Sequence, residues 1–333
     1  MLYGIAAATS ALLLTALLAA LLRLPALKLG IVERRRQRKV PVAGGVAVVV
    51  ATCLVAVAGD RTGVAPLGDG VGELLVAAAG VASLGFLADV RRVKPRFLGA
   101  GTAVAAALVV PYGETGVGGG VLAVGWIVFV VLGFRALDHV DGLAGAVGVL
   151  TAFGVGACAA AEVMDGLAVL LSVLAAALTG FLMHNWPPAR AGLGSCGAMF
   201  AGFLLASAAV TARAGYGLAS TAAVFAGLGI VVAADVLLVV LSRRGGGRGV
   251  RLGHRLRRLG LTPQGIVVVL GLVAFSGVLV AVLVHLGTIA ASGALWVVVG
   301  ALVGVIGLLR IKPSSAARSA SPQVRGQLRV RNG

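Results

Sequence analysis

The sequence predicts an all-α integral membrane protein, and three observations carry that prediction: overall apolarity, the spacing of the apolar runs and the sidedness of the charges. Hydrophobic residues make up 59% of the 333 and charged residues only 12%, and the mean hydropathy is +1.07. A soluble core of this length cannot hide so much apolar surface, so the bilayer has to be the solvent. Glycine at 51 positions suits membrane helices that pack backbone against backbone.

Apolar runs long enough to cross a hydrocarbon core of about 30 Å can be laid down eleven times. The first, residues 3–26, starts almost at once and lacks a basic leader or a small-residue cleavage site, so it reads as a retained helix. The second, 41–59, follows the basic run Arg34 to Lys39. The third, 71–88, runs into Asp89, Arg91, Arg92 and Lys94, and the fourth, 98–112, is short. The fifth and sixth, 120–137 and 143–161, flank Asp138, Asp141 and Gly142, while the seventh, 166–183, stops before Pro187 and Pro188, which cannot continue a helix. The eighth, 198–212, is again short, and the ninth, 218–241, reads as one span. A basic stretch from Arg243 to Arg258 separates it from 264–285, and 292–310 completes a membrane domain over 1–310. Residues 311–333, rich in Ser, Ala, Pro and Arg, read as a disordered basic cytoplasmic tail.

When the gaps between spans are assigned alternately from an outside N-terminus, only Arg61 and Arg213 of the 28 Lys and Arg fall outside. The positive-inside rule then places the N-terminus out and the C-terminus in, for a multi-pass protein of the cell's inner (plasma) membrane. The net charge of +17 is therefore spent on topology, and no nucleic-acid-binding motif accompanies it. Cys53, Cys158 and Cys196 form no CxxC pair and read as small buried hydrophobes. No pair of broken helices supports a transporter.

Only eleven acids occur, and Asp89, Asp138, Asp141 and Asp235 lie at or near inner helix ends. Carboxylates near membrane depth are costly, so each is either functional or part of an ion pair. Four inner segments stand out. In Gly85 to Lys94, Asp89 is either neutralised by Arg91 or Arg92 or belongs to a phosphate or metal-phosphate site. In Arg135 to Gly145, Asp138 and Asp141 are three apart, a spacing that on a helix puts both on one face to grip a divalent cation, with His139 a polar interface residue. In Gly180 to Gly197, Asn185, Arg190 and a glycine-rich turn offer donors for phosphate oxygens, or simply connect two helices. Arg243 to Leu261, with His254, either lies on anionic lipid or clamps a pyrophosphate.

In this order and spacing the segments resemble the polyprenyl-phosphate N-acetylhexosamine-1-phosphate transferases of glycosyltransferase family 4. The resemblance runs from about Lys28 to Val273 and is clearest in Asn185-Trp186-Pro187-Pro188-Ala189-Arg190, Phe200-Ala201-Gly202-Phe203, Gly253-His254-Arg255-Leu256 and Leu259-Gly260-Leu261. Arg38 to Gly45 looks like the family's early basic loop leading into a Gly-Gly helix start. The resemblance implies transfer of a sugar 1-phosphate from a UDP-sugar to a membrane polyprenyl phosphate in peptidoglycan or other envelope polysaccharide synthesis, with loss of UMP and with Mg2+ as cofactor. Carried over position by position, it implies catalytic roles for Asp89, Asp141 and His254 and substrate binding by Lys39, Arg91, Lys94, Asn185, Arg190 and Arg255. Asp138 and Asp141 are the expected metal ligands, and homodimerisation stays open.

Several positions depart from the family's pattern. Its Asp-Asp pair reads Ala88-Asp89, and the polar positions of its Asn-x-x-Asn-x-x-Asp-Gly-x-Asp block read Arg135, Asp138, Asp141 and Ala144. The family's magnesium-binding aspartate is Ser195, a neutral and weaker donor for a hard cation, and Arg251 and Gly253 stand where histidines are usual. Single losses of charged groups from such sites cost orders of magnitude in rate. The alternative expectation is therefore a catalytically inactive relative that binds polyprenyl phosphate or a partner in envelope assembly.

Overall fold

The computed structural model describes residues 2–28, 32–33, 40–68, 70–91, 93–244 and 251–310. Its architecture is an all-α, multi-span membrane bundle, with one two-residue antiparallel pairing of Val32–Glu33 with Val40–Pro41. In order come α1 (Leu2–Lys28), α2 (Ala43–Arg61), α3 (Val71–Val90), α4 (Pro95–Val109), α5 (Tyr112–Leu137), α6 (Leu143–Ala161) and α7 (Asp165–Asn185). There follow α8 (Gly194–Ala212), α9 (Leu218–Leu228), α10 (Ile230–Arg244), α11 (Leu252–Arg258), α12 (Pro263–His285) and α13 (Gly293–Arg310). Lys39, the rest of the early basic loop, and the tail at 311–333 lie outside the described residues.

Nine of the described helices are long and apolar enough to cross a membrane, against eleven expected. The two differences have local causes. The expected ninth span is a bent pair, α9 and α10, meeting at 77°. Gly227 and Gly229 weaken the helix at the bend, and the Trp126 ring, stacked on Phe225 with centroids 4.9 Å apart, packs where a Cβ of Gly229 would stand. The expected fourth span is α4, whose 15 residues rise only about 22 Å at about 1.5 Å each. The expected eighth span, in contrast, is longer than the apolar run indicates, because α8 begins at Gly194. Gly116, at φ 67°, breaks the start of α5, so its spanning part begins close to the expected residue 120.

Helix α8 is the centre of the bundle: 89% of its membrane-length window is buried, against 11% for α13. It packs on α2, α3, α5 and α6. Glycine makes the closest of these approaches: a Cβ on Gly45 of α2 would lie 2.0 Å from the Leu193 carbonyl oxygen and 2.6 Å from the Gly197 nitrogen. Cys158 and Cys196 are buried free thiols, while Cys53 is half-buried.

At the end of the bundle where α6, α8 and α12 finish, a polar cluster closes the helix ends. Arg213 is 3% exposed, donates to Ser220 Oγ at 2.6 Å, lies 3.1 Å from His285 Nδ1 and stacks over the Tyr216 ring at 3.8 Å. The Tyr216 hydroxyl donates to Glu162, whose Oε1 is 3.2 Å from His285 Nε2. A buried guanidinium thus has a carboxylate, a hydroxyl and an aromatic face around it, which its desolvation requires.

Gly45→Ala is expected to lower the thermal midpoint of the detergent-solubilised protein markedly, because the added methyl meets backbone and overpacking of this kind costs about 1–3 kcal/mol. Gly4→Ala, whose Cβ would meet nothing within 4 Å, is the control that leaves the midpoint in place.

Candidate functional site

The first turn of α8 exposes backbone N–H groups that no earlier turn can accept, and the helix is buried. Its own flanking residue, Leu193, supplies no side-chain cap. The acceptors come from two other helices. Asp89, in the last turn of α3, takes the Ser195 N–H on Oδ1 at 2.9 Å and the Cys196 N–H on Oδ2 at 3.0 Å. Asp138, the C-cap of α5 and only 8% exposed, takes the Gly194 N–H on Oδ2 at 2.9 Å. Two carboxylates at the positive end of a buried helix dipole are favourably placed. Gly194 sits at φ 67°, and a Cβ there would lie 2.8 Å from Asp89 Oδ2, so the turn needs glycine. Arg135, one turn before Asp138 on α5, donates from Nε to Ser195 Oγ at 2.9 Å.

A second tie joins the α5–α6 turn to the α7–α8 loop. Asp141 accepts the Ala189 N–H on Oδ2 at 3.2 Å. Asn185, 2% exposed, accepts the Gly142 N–H at 2.7 Å and donates to the Ala191 carbonyl at 2.7 Å. Gly142 has φ 78° and opens α6, as expected for a chain break there. Gln264 of α12 donates to the Pro187 carbonyl at 3.0 Å. On the far side of the turn, Arg251 donates to the Ala136 carbonyl at 2.6 Å and lies 3.6 Å from Asp235, which also accepts the Leu252 N–H at 2.9 Å. Asp235 is therefore the structural ion pair of the two readings open to it.

His139 and His254 approach each other, with ring centroids 6.2 Å apart. His139 Nδ1 is 2.6 Å from the Ala136 carbonyl oxygen, so Nδ1 carries the hydrogen and Nε2 keeps its lone pair, without a hydrogen-bond partner among the described residues. Burial holds the His139 pKa below its ordinary value. His254 stands exposed on α11, a short helix where the sequence predicted loop.

Asp89, Asp138, Asp141 and Ser195 are thus gathered at one end of the bundle, with Arg91, Lys94 and Arg190 exposed. One expectation changes. Asp138 and Asp141 do not share a helix face, because α5 ends at Leu137 and the two carboxylates reach different stretches of the α7–α8 connection. The Asn185 amide oxygen and one of its amide hydrogens are bound to backbone. Arg255 donates to the Leu308 carbonyl at 2.8 Å and the Leu309 carbonyl at 3.1 Å, capping α13. Asp89 is held by α8 amides and not by Arg91, which is exposed; Arg92 lies outside the described residues. Among the described residues, no three His, Cys, Asp or Glu side chains converge in a way that would hold a metal ion.

Comparison with known proteins places these segments in context. The sequence profile of glycosyl transferase family 4 matches residues 71–213, which span Asp89 through the whole of α8. A Streptomyces coelicolor protein that carries the provisional name of glycosyltransferase is 60% identical over 327 residues, 95% of this chain and 80% of that one. The decaprenyl-phosphate N-acetylglucosaminephosphotransferase of Mycobacterium tuberculosis is 30% identical over 177 residues, 44% of each chain. The phospho-N-acetylmuramoyl-pentapeptide-transferase of a Picosynechococcus species is 35% identical over 115 residues, 34% of this chain and 31% of that enzyme. The chain therefore spans less than half the length of either named enzyme.

Asp89→Ala leaves two partly buried N–H groups without acceptors, at about 1–3 kcal/mol each, and is expected to lower the thermal midpoint of the detergent-solubilised protein. Asp89→Asn, with one acceptor oxygen left, should fall between wild type and Asp89→Ala in the same thermal scan.

Proposed function

Because the chain belongs to glycosyl transferase family 4, we propose that it transfers a sugar 1-phosphate from a UDP-sugar to a polyprenyl phosphate in the synthesis of a cell-envelope polymer. The observation that carries the reading is the convergence of three separate segments, the ends of α3 and α5 and the loop before α8, on one end of the bundle. By their names, one of the two enzymes above transfers N-acetylglucosamine phosphate to decaprenyl phosphate and the other transfers phospho-N-acetylmuramoyl-pentapeptide, which supports a sugar-1-phosphate transfer here.

In the proposed reaction an oxygen of the polyprenyl phosphate bonds to the phosphorus that carries the sugar. The bond from that phosphorus to the bridging oxygen breaks, and UMP leaves with that oxygen. Such transfers need little covalent chemistry from the protein and much positioning and charge compensation. Arg91, Lys94 and Arg190, exposed at the same end as the acids, are the groups we assign to phosphate, with Lys39, which lies outside the described residues, as a fourth. His254, exposed with its ring centroid 6.2 Å from that of His139, is assigned to the same end. Asp141 is the acid of the family's block that keeps its identity, and its carboxylate orients the loop that carries Arg190. The reading sets this end of the bundle on the cytoplasmic side of the inner membrane, where UDP-sugars are found, with the N-terminus outside.

Magnesium is the ion that the resemblance implies, and the donor set does not fit it as a resident ion. Both oxygens of Asp89 and one each of Asp138 and Asp141 accept backbone N–H groups. The Ser195 hydroxyl, at the position of the family's ligand, is held by Arg135. Two unit charges about 4 Å apart repel by about 4 kcal/mol at an effective dielectric of about 20, and a divalent ion beside a guanidinium doubles that.

The test is transfer itself. The purified full chain, in liposomes containing polyprenyl phosphate, is expected to release UMP from UDP-N-acetylglucosamine or another UDP-N-acetylhexosamine and to label the lipid. Absence of UMP release with every UDP-sugar tried, with and without magnesium, would sink the reading.

A further inference from the structure

The site departs from its family at positions that touch one another. Arg135 stands where the family has asparagine and Ser195 where it has its metal-binding aspartate, and the two are joined by the 2.9 Å bond from Nε to Oγ. Asp138, a third departure, caps the neighbouring residue, Gly194. Arg135 and Asp138 leave the last turn of α5 three residues apart, on one face, and hold adjacent residues of α8. Arg135 also lies within electrostatic reach of Asp89.

Three carboxylates, Asp89, Asp138 and Asp141, bear on this loop and helix start. The partial positive charge of one helix N-terminus offsets only part of that negative charge. A cation beside them compensates the rest, and among the described residues half-buried Arg135 is bonded to Ser195 at this helix start and within electrostatic reach of Asp89. A planar guanidinium is always charged at neutral pH and carries a fork of donors suited to both carboxylate and phosphate oxygens.

We infer that Arg135 is the resident cation of this site: its guanidinium supplies by charge the compensation that an added pyrophosphate needs beside these acids, so that pyrophosphate-bearing ligands bind here without metal. The inference rests on the transfer reading only for the identity of the natural ligand. Arg135 is a positioning and charge-compensating residue, and no bond to substrate is assigned to it.

Two measurements on the full chain in nanodiscs test it. The first is a manganese titration followed by electron paramagnetic resonance, with no other ligand present. Wild type is expected to show no stoichiometric manganese site, and the double variant Arg135→Asn, Ser195→Asp is expected to gain one. A stoichiometric site in wild type overturns the inference. The second is calorimetric titration with inorganic pyrophosphate and with UDP-N-acetylglucosamine, in EDTA and in magnesium. Wild-type affinity for pyrophosphate should be the same in both buffers to within about threefold, and Arg135→Gln should weaken it about tenfold or more in EDTA. Arg135→Lys, which keeps the charge but not the fork, should fall between them. Melting curves of each variant establish that it is folded, and the wild-type arms decide the question if Arg135→Gln is not.

Binding of pyrophosphate only with magnesium, or no loss in a folded Arg135→Gln, overturns the role of Arg135 and leaves the transfer reading standing. Metal-free binding of pyrophosphate, with no UMP released from any UDP-sugar in the liposome assay, supports the role of Arg135 and overturns the transfer reading. Failure to bind pyrophosphate in either buffer overturns the role of Arg135, and if the liposome assay also fails, both are overturned.

Discussion

The half-buried N-terminus of α8 is the constraint on which the rest of this end of the molecule depends. A helix start set partly inside a bundle presents amide groups that are shielded from water, and each one left unmet is costly. Here three consecutive N–H groups, of Gly194, Ser195 and Cys196, are met by two carboxylates from other helices. Neither carboxylate is near in sequence: Asp89 is 106 positions from Ser195 and Asp138 is 56 from Gly194. The cap therefore fixes α3 and α5 against α8 and sets the position of everything the three helices carry. Glycines on the facing surfaces follow from the same closeness. A Cβ on Gly85 would stand 2.5 Å from the Ser195 carbonyl oxygen.

A carboxylate that accepts two amide hydrogens is less available as a ligand. In Asp89 the family's remaining acid at the end of α3 is committed to architecture, and in Asn185 a side chain with the chemistry to bind phosphate is committed to holding two loops together. Arg91, Lys94 and Arg190 stand at the surface, whereas Arg135 is half-buried and the acids are bonded to backbone amides. The opposite end of the bundle follows the same logic with the charges reversed, since Arg213 is the buried ion there and Glu162, Ser220 and Tyr216 surround it. Both ends are closed by polar groups from several helices, which gives the apolar middle a defined register that lipid-facing contacts alone do not supply.

The membrane class and most helix positions were legible from hydropathy, because a span must be apolar over a fixed length and turns must be polar or broken. The starts of α6 and α7, for example, fall within a residue of the expected 143 and 166. The errors lie where a distant partner decides. The apolar run at 198–212 understates α8, because Gly194 to Gly197 are helical through the caps from Asp89 and Asp138. The bend in 218–241 depends on Trp126, which reaches it from α5. Asp89, Asp138 and Asp141 were found as candidates because acids are scarce in a membrane chain. Their actual partners were not, since no local pattern encodes a hydrogen bond to a backbone amide tens of residues away. The contacts of Arg255 are hidden for the same reason: it stands in a basic run, and the carbonyls that receive it belong to α13.

Read along the chain, the departures at 135, 138 and 195 look like three independent losses from a catalytic site. In space they meet at one helix start, Arg135 on Ser195 and Asp138 on the neighbouring Gly194. Removing an aspartate at 195 leaves a hydroxyl and takes away a negative charge; placing an arginine at 135 supplies a donor to that hydroxyl and a positive charge beside Asp89. Placing an aspartate at 138 returns a carboxylate one residue away, on the Gly194 amide. A site that had simply decayed has no reason to keep its hydrogen bonds paired, and unpaired polar groups in a buried helix end would weaken the fold. The pairing means that loss of the metal ligand and gain of the internal cation have to be judged together, as the two halves of one rearranged centre around the start of α8.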